Sequence, residues 1–396
     1  MKIASIQISI EEYRLRVNSL VDKLKSNNLT GAVLFDRDYI LYFSGFAFIP
    51  TERPIALLIN HNKETALFVP RLEVEHARSN ATIDRVSHYV EYPFTPRPEK
   101  SLSQLINEME IGDSYGADHD GYPWILGYRG PSLKEVVGKA PMNIKPFIED
   151  QMMIKSEAEI ALIKESVKWG HLAHVHLQRF TKVGRTETEV SIKATKKATL
   201  AMLDAIGPIY RAHSYFSNGA SAGYRGQIGR NSAIPHALAN NLKFQKGDVL
   251  VSGAGAAMWG YHSELERTMI IGTPTSEQQW LFEHMIALQD LAFDSIRPGV
   301  LCSEVDNRIR RYYEENDLMK YWKHHVGHAI GLRYHEAPFL DMGDETRIQP
   351  GMVFTIEPGL YSPQQGGFRH SDTVVVRENG IELLTYYPRD LDYLII

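Results

Sequence analysis

Three strings in the carboxy-terminal half of this chain pack glycine and proline around histidines and acids. They read H-H-V-G-H-A-I-G-L-R-Y-H-E-A-P from His324 to Pro338, T-I-E-P-G from Thr355 to Gly359, and G-F-R-H-S-D-T from Gly367 to Thr373. Glycine and proline at this density punctuate regular structure. The polar residues between them therefore belong on or beside strands. His328 and His335 flank a glycine-rich turn, Glu357 follows an apolar run and precedes Pro358, and Arg369, His370 and Asp372 open a strand.

The remainder of the chain supplies the frame for those strands. Residues 11–27 carry apolar side chains at helical spacing. Strand-like runs follow at Gly31 to Phe35, Ile55 to Ile59 and Thr65 to Val69, with the polar turn Asn60 to Glu64 between the last two. Residues 101–109 read as a further helix. This alternation predicts a small α/β domain over 1–150. Near residue 150 the pattern changes. Ser156 and Glu159 have the spacing of a capping box and open a long helix to about Thr181, and Thr186 with Glu189 open a second to Ile206. Strands are then expected at Val249 to Val251, Thr268 to Ile271, Val353 to Ile356 and Thr373 to Val376, with helices at 276–296 and 302–316. The second domain, 151–396, is thus expected to be α+β.

Alternate residues of a strand share a face. Glu264 and Glu266 are therefore expected on one face, as are His370 and Asp372. With His236, Tyr261, His262, His328, His335, Glu357 and Arg369 they form a set of carboxylates and imidazoles suited to proton transfer near neutral pH.

Composition narrows the partners. A formal net charge of -5 does not provide the basic field that nucleic acid requires. No run approaches the roughly 20 apolar residues of a membrane span. The first residues, M-K-I-A-S-I-Q-I, lack the apolar core of a signal peptide. The single cysteine, Cys302, excludes an intrachain disulfide and any cysteine-based zinc site. A cytoplasmic enzyme is expected.

The strings resemble the creatinase/aminopeptidase P/prolidase family, nearly end to end. The resemblance rests on I-K-S-E-A-E-I (Ile154 to Ile160), Pro235-His236 ahead of K-G-D (Lys246 to Asp248), G-H-A-I-G (Gly327 to Gly331), H-E-A-P and I-E-P-G. It implies a creatinase-type N-terminal domain followed by a pita-bread catalytic domain. The family's metallopeptidases hold two ions with two aspartates, a histidine and two glutamates. Residue by residue, these positions carry Gly253, Glu264, His328, Glu357 and Ser371. Two side-chain donors are missing, so a dinuclear site is not expected. A single ion on Glu264, His328 and Glu357, such as manganese, iron, cobalt or zinc, is the alternative to none.

Creatinase, the family's metal-free member, has a glutamate in L-E-R-T, as here at Glu266. The resemblance therefore implies a metal-independent hydrolase of a non-peptide C–N bond in a small amide, amidine or guanidino compound, similar to creatinase or ectoine hydrolase, with no cofactor. His236, Glu266, Glu357 and His328 would be catalytic. Arg53, Tyr261, Glu264, His335, Arg369 and His370 would bind substrate, with Arg53 holding an anionic end across a homodimer's composite site. Pocket shape would depend on residues that include Tyr215 and Phe216. A metal-dependent Xaa-Pro aminopeptidase or dipeptidase with an altered metal site is the second reading. A non-catalytic binding protein on a peptidase scaffold is the third.

Overall fold

The computed structural model describes residues 7–90, 97–213 and 219–396, and Tyr215 and Phe216 lie outside them. The chain divides into two compact units, Ile8–Met152 and, essentially, Met153–Ile396.

The first unit is built on a mixed six-stranded sheet. Strands β1 (Gly31–Leu34), β2 (Ala56–Asn60), β3 (Thr65–Pro70), β4 (Arg85–Tyr89), β5 (Gly116–Ala117) and β6 (Met142–Asn143) lie in the order β4-β3-β2-β1-β5-β6. Strands β1 to β3 pair antiparallel, β1 and β2 across residues 35–55 and β2 and β3 through a short turn, and β4, β5 and β6 join in parallel. The first three strands are buried along their whole length, which explains their continuous apolar runs. Helix α1 (Ile10–Ser26) starts at Ser9, whose hydroxyl accepts from Glu12 N, and buries Tyr13, Val17, Leu20, Val21 and Leu24.

In the second unit two long helices come first. Helix α2 (Glu157–Phe180) begins with the reciprocal Ser156/Glu159 capping box. Helix α3 (Glu187–Ile206) has Thr186 accepting from Glu189 N. The reciprocal bond is not found there, because the Glu189 carboxylate is taken by Arg185 and Lys193.

The strands that follow form a nine-stranded sheet. Its members are β7 (Ala220–Gly223), β8 (Gly253–Met258), β9 (Tyr261–His262), β10 (Leu265–Glu266), β11 (Gly327–Ala329), β12 (Glu336–Leu340), β13 (Val353–Ile356), β14 (Ser371–Arg377) and β15 (Gly380–Leu383). The path runs β9-β8-β10-β14-β13-β11-β12, with β7 beside β8 and β15 beside β14. The pairings among these strands are antiparallel. Helices α4 (Ser276–Ser295) and α5 (Cys302–Glu315) fall between its strands in sequence. Buried Cys302 opens α5. A buried ion pair, Lys155 Nζ to Glu336 Oε2 at 2.8 Å, fastens the I-K-S string to the H-E-A-P string. Glu336 is thereby committed to the frame.

Candidate active site

Four neighbouring strands of that sheet, β10, β14, β13 and β11, bring the catalytic-looking strings together. Glu266 on β10 lies opposite Ser371 on β14, β14 pairs with β13, and β13 pairs with β11 through Phe354 and Ala329. His328 on β11, Glu357 just after β13 and Glu264 just before β10 therefore converge. One ligand atom from each lies within 4.8 Å of the others.

Local bonds fix each of them. His328 Nδ1 faces the Ala329 carbonyl at 3.0 Å, so that nitrogen carries a proton and Nε2 is the nitrogen turned toward the carboxylates. Nε2 is buried without a well-aligned hydrogen bond among the described residues. It faces Glu357 Oε1 at 3.2 Å. Two acceptors pointed at each other require a proton or a cation between them. The Glu264 backbone N–H donates to Thr373 Oγ1 at 2.9 Å. Ser371 Oγ donates to Glu264 Oε1 at 2.7 Å.

The charges are crowded. Burial, then the charges of Glu357 and Glu266, push the Glu264 carboxyl above its ordinary range. Burial opposes a charged His328, but Glu357 and Glu264 outweigh it and raise the imidazole. Burial also opposes a charged Glu357, but His328 and Arg369 hold it well below the usual carboxylate range. Crowded carboxylates around an open imidazole nitrogen suit a divalent ion, and three protein ligands leave positions for water or substrate. The set fits one ion. It does not fit two, because Gly253 offers no donor and Ser371 spends its hydroxyl on Glu264.

The triad lies in a cleft of about 460 Å³, also lined by Arg225, Ile234, Pro235, His236, Glu266, Lys323, His324, His325, His335 and Arg369. The ring of His335 stacks on His328 at 3.8 Å between centroids. Glu266 is gripped from two sides. Arg369 contacts it through Nε to Oε2 and through Nη2 to Oε1 at 2.8 Å. Arg225 reaches Oε1 at 2.8 Å.

Nine of the ten residues expected to act on substrate lie in this unit, and seven of them, all but Tyr261 and His370, line the cleft. Tyr261 is buried elsewhere and donates to Glu159 Oε1 at 2.6 Å, tying β9 to the start of α2. His370 is fully buried against Phe282. It shares a face with Asp372, as alternation predicts, but that face is the interior one, where Asp372 meets Arg267 at 2.8 Å. Arg369 and Ser371 take the cleft side. Arg53 belongs to the amino-terminal unit, where it pairs with Glu52 at 2.9 Å. Arg225, Lys323, His324 and His325 received no role from the sequence, although the two histidines stand inside the quoted string. The Arg225-Gly226 turn was the available signal for Arg225.

Comparison with known proteins gives a consistent result. Residues 161–378 match the model of metallopeptidase family M24, and residues 16–151 match the creatinase/prolidase N-terminal domain. The chain is 30% identical over 385 residues to a Xaa-Pro dipeptidase of Pyrococcus horikoshii, covering 95% of this chain and 98% of that one. The solved prolidase of the same organism superposes with a TM-score of 0.78 at 27% identity, covering 95% and 99% of the two chains. A dipeptidase from Mycobacterium ulcerans gives a TM-score of 0.81 at 25% identity, covering 98% and 99%.

These findings overturn the expectation of a metal-independent, creatinase-like hydrolase of a non-peptide C–N bond, and with it the expectation of no cofactor. The physical reason lies in Glu266. That residue carried the metal-free reading, and it is held between two arginines, while Glu264, His328 and Glu357 converge as a ligand set. Among the described residues no helix is long and apolar enough to cross a membrane. The chain is a hydrolase with a creatinase-type amino-terminal domain and a pita-bread catalytic domain, and it belongs to metallopeptidase family M24.

Proposed function

We propose that the protein is a metal-dependent peptidase that hydrolyses Xaa-Pro dipeptides, with one divalent ion held by Glu264, His328 and Glu357. The observation that carries this reading is the convergence of those three ligand atoms within 4.8 Å in the lining of the cleft. The similarity to a Xaa-Pro dipeptidase over 95% of the chain supports the choice of substrate.

When bound, such an ion polarises a carbonyl and lowers the pKa of a coordinated water. The protein's own groups do the rest. Arg369, 3.8 Å from Glu357 Oε2, holds that carboxylate ionised and neutralises Glu266. Ser371 orients Glu264. His236 and His335 border the same cleft, where an imidazole N–H serves a carbonyl oxygen as negative charge develops on it. Ligands of two carboxylates and one imidazole suit manganese, iron, cobalt or zinc.

Protein purified without chelator tests this by elemental analysis together with dipeptide hydrolysis in added manganese, cobalt or zinc. We expect about one ion per chain, activity lost on chelation and activity restored by metal. Absence of Xaa-Pro hydrolysis with every one of these ions would sink the proposal. Two tightly bound ions per chain would overturn its single-ion part.

A further inference from the structure

Glu266 carries two cations, and only one of them is locked in place. Arg369 is 3% exposed at the side chain and meets both Glu266 oxygens. Arg225 meets only Oε1, at 2.8 Å, with Gln227 Oε1 at 3.2 Å, and its side chain is 52% exposed. The Arg225 end of the pair is half in water, and Arg369 still holds the buried Glu266 if Arg225 leaves.

The backbone makes an effort to place Arg225. Its φ is +52°, and Gly226 follows at +78°. A left-handed conformation is unfavourable for arginine and is retained where surrounding structure imposes it. The turn is tight, since a Cβ on Gly226 would lie 2.1 Å from the Leu238 carbonyl oxygen.

That turn sets the guanidinium at the junction of two lobes. One lobe is the cleft of about 460 Å³ that holds the triad. The other, about 430 Å³, is walled by small residues including Ser221, Gly223 and Gly253. Arg225, Glu264, Glu266 and His335 border both. A Cβ on Gly253 would meet only Glu266 Oε1, at 3.7 Å, so nothing crowds the second lobe at that point. A divalent ion would balance Glu264 and Glu357, and Arg369 balances Glu266. Arg225 is then left to serve an incoming anion.

We propose that Arg225 anchors the free carboxylate of the substrate, leaving Glu266 to do so, and thereby selects dipeptides over blocked or longer chains. This inference rests on the peptidase reading above. A guanidinium fork matches a carboxylate bidentately, and the amide of the same dipeptide offers no such partner.

The test compares a Xaa-Pro dipeptide with its C-terminal amide in wild-type, Arg225→Gln, Arg225→Lys and Arg53→Gln proteins. In the wild type the acid is preferred. In R225Q its KM rises about 10- to 100-fold, the range expected for a lost hydrogen bond to a charged group. The KM for the amide and both kcat values move much less, and R225K retains part of the preference. An equal loss on acid and amide in R225Q would assign Arg225 a structural role and overturn the inference. Retained preference in R225Q with loss in R53Q would transfer the anchor to the amino-terminal unit and overturn it too. If the wild type cleaves no dipeptide, the peptidase reading fails separately. Calorimetric titration with proline and prolinamide then decides the anchor. Tighter binding of proline that disappears in R225Q supports it, and equal binding of the two overturns it.

Discussion

Ser371 stands where a second ion would require a carboxylate, and its hydroxyl is used on Glu264 instead, at 2.7 Å. A hydrogen bond of that kind fixes which ligand oxygen faces the ion. Ser371→Ala is therefore expected to weaken metal binding about 10- to 100-fold while leaving the circular dichroism spectrum unchanged. Competition against a chromophoric chelator reads this directly, and an unchanged affinity would remove Ser371 from the site. At this scale the sequence was informative about the residues inside its motifs. His328, Glu357, Glu264 and Glu266 all reach the cleft. Alternation established that His370 and Asp372 share a face, but it could not say that theirs is the interior one. Arg225 contacts Glu266 across 41 positions of sequence, a pairing made only by the fold, so no local spacing foretold that Glu266 would be occupied.

At the scale of elements, the site depends on how closely β11 approaches β13. Gly327 immediately precedes His328, and a Cβ there would lie 1.9 Å from the Thr355 carbonyl oxygen. No side-chain rotation relieves a clash with backbone. Gly327→Ala is expected to force the two strands apart, separate His328 from Glu357, and cost at least about 3 kcal/mol, the upper range for overpacking a close-packed core. A urea titration gives the stability loss, and elemental analysis of the surviving folded fraction gives the loss of metal. A variant that keeps both stability and metal would show that the strand contact does not position the ligand. The elements themselves were largely readable. The Ser156/Glu159 box opens α2 as expected, because Tyr261 takes Glu159 Oε1 and leaves Oε2 to the Ser156 backbone N–H. The equivalent reading at Thr186 met Arg185 and Lys193, which draw Glu189 outward. Charge neighbours decided that case where capping geometry alone did not.

The whole molecule keeps several histidines neutral, and that ties its stability to pH. His174 is fully buried with Nε2 2.7 Å from Ser252 Oγ. Burial, then the charges of Arg267 and His171, hold it well below the ordinary histidine value. His370 is depressed in the same way by burial, then by Arg267, Arg389 and His174. In the unfolded chain both would titrate near 6.5. A depressed folded pKa means that the unfolded state binds more protons below that point. The stabilisation is thus fully present above about pH 6.5 and is lost as pH falls, at up to about 1.4 kcal/mol per pH unit for each histidine. Thermal midpoints measured between pH 7.5 and 5.5 are expected to drop toward the acid side. His370→Leu removes one of the two groups while keeping an apolar contact for Phe282, so its midpoints should fall less steeply over the same interval. An identical slope in wild type and variant would show that His370 takes up its proton without unfolding, and would leave the acid sensitivity to His174.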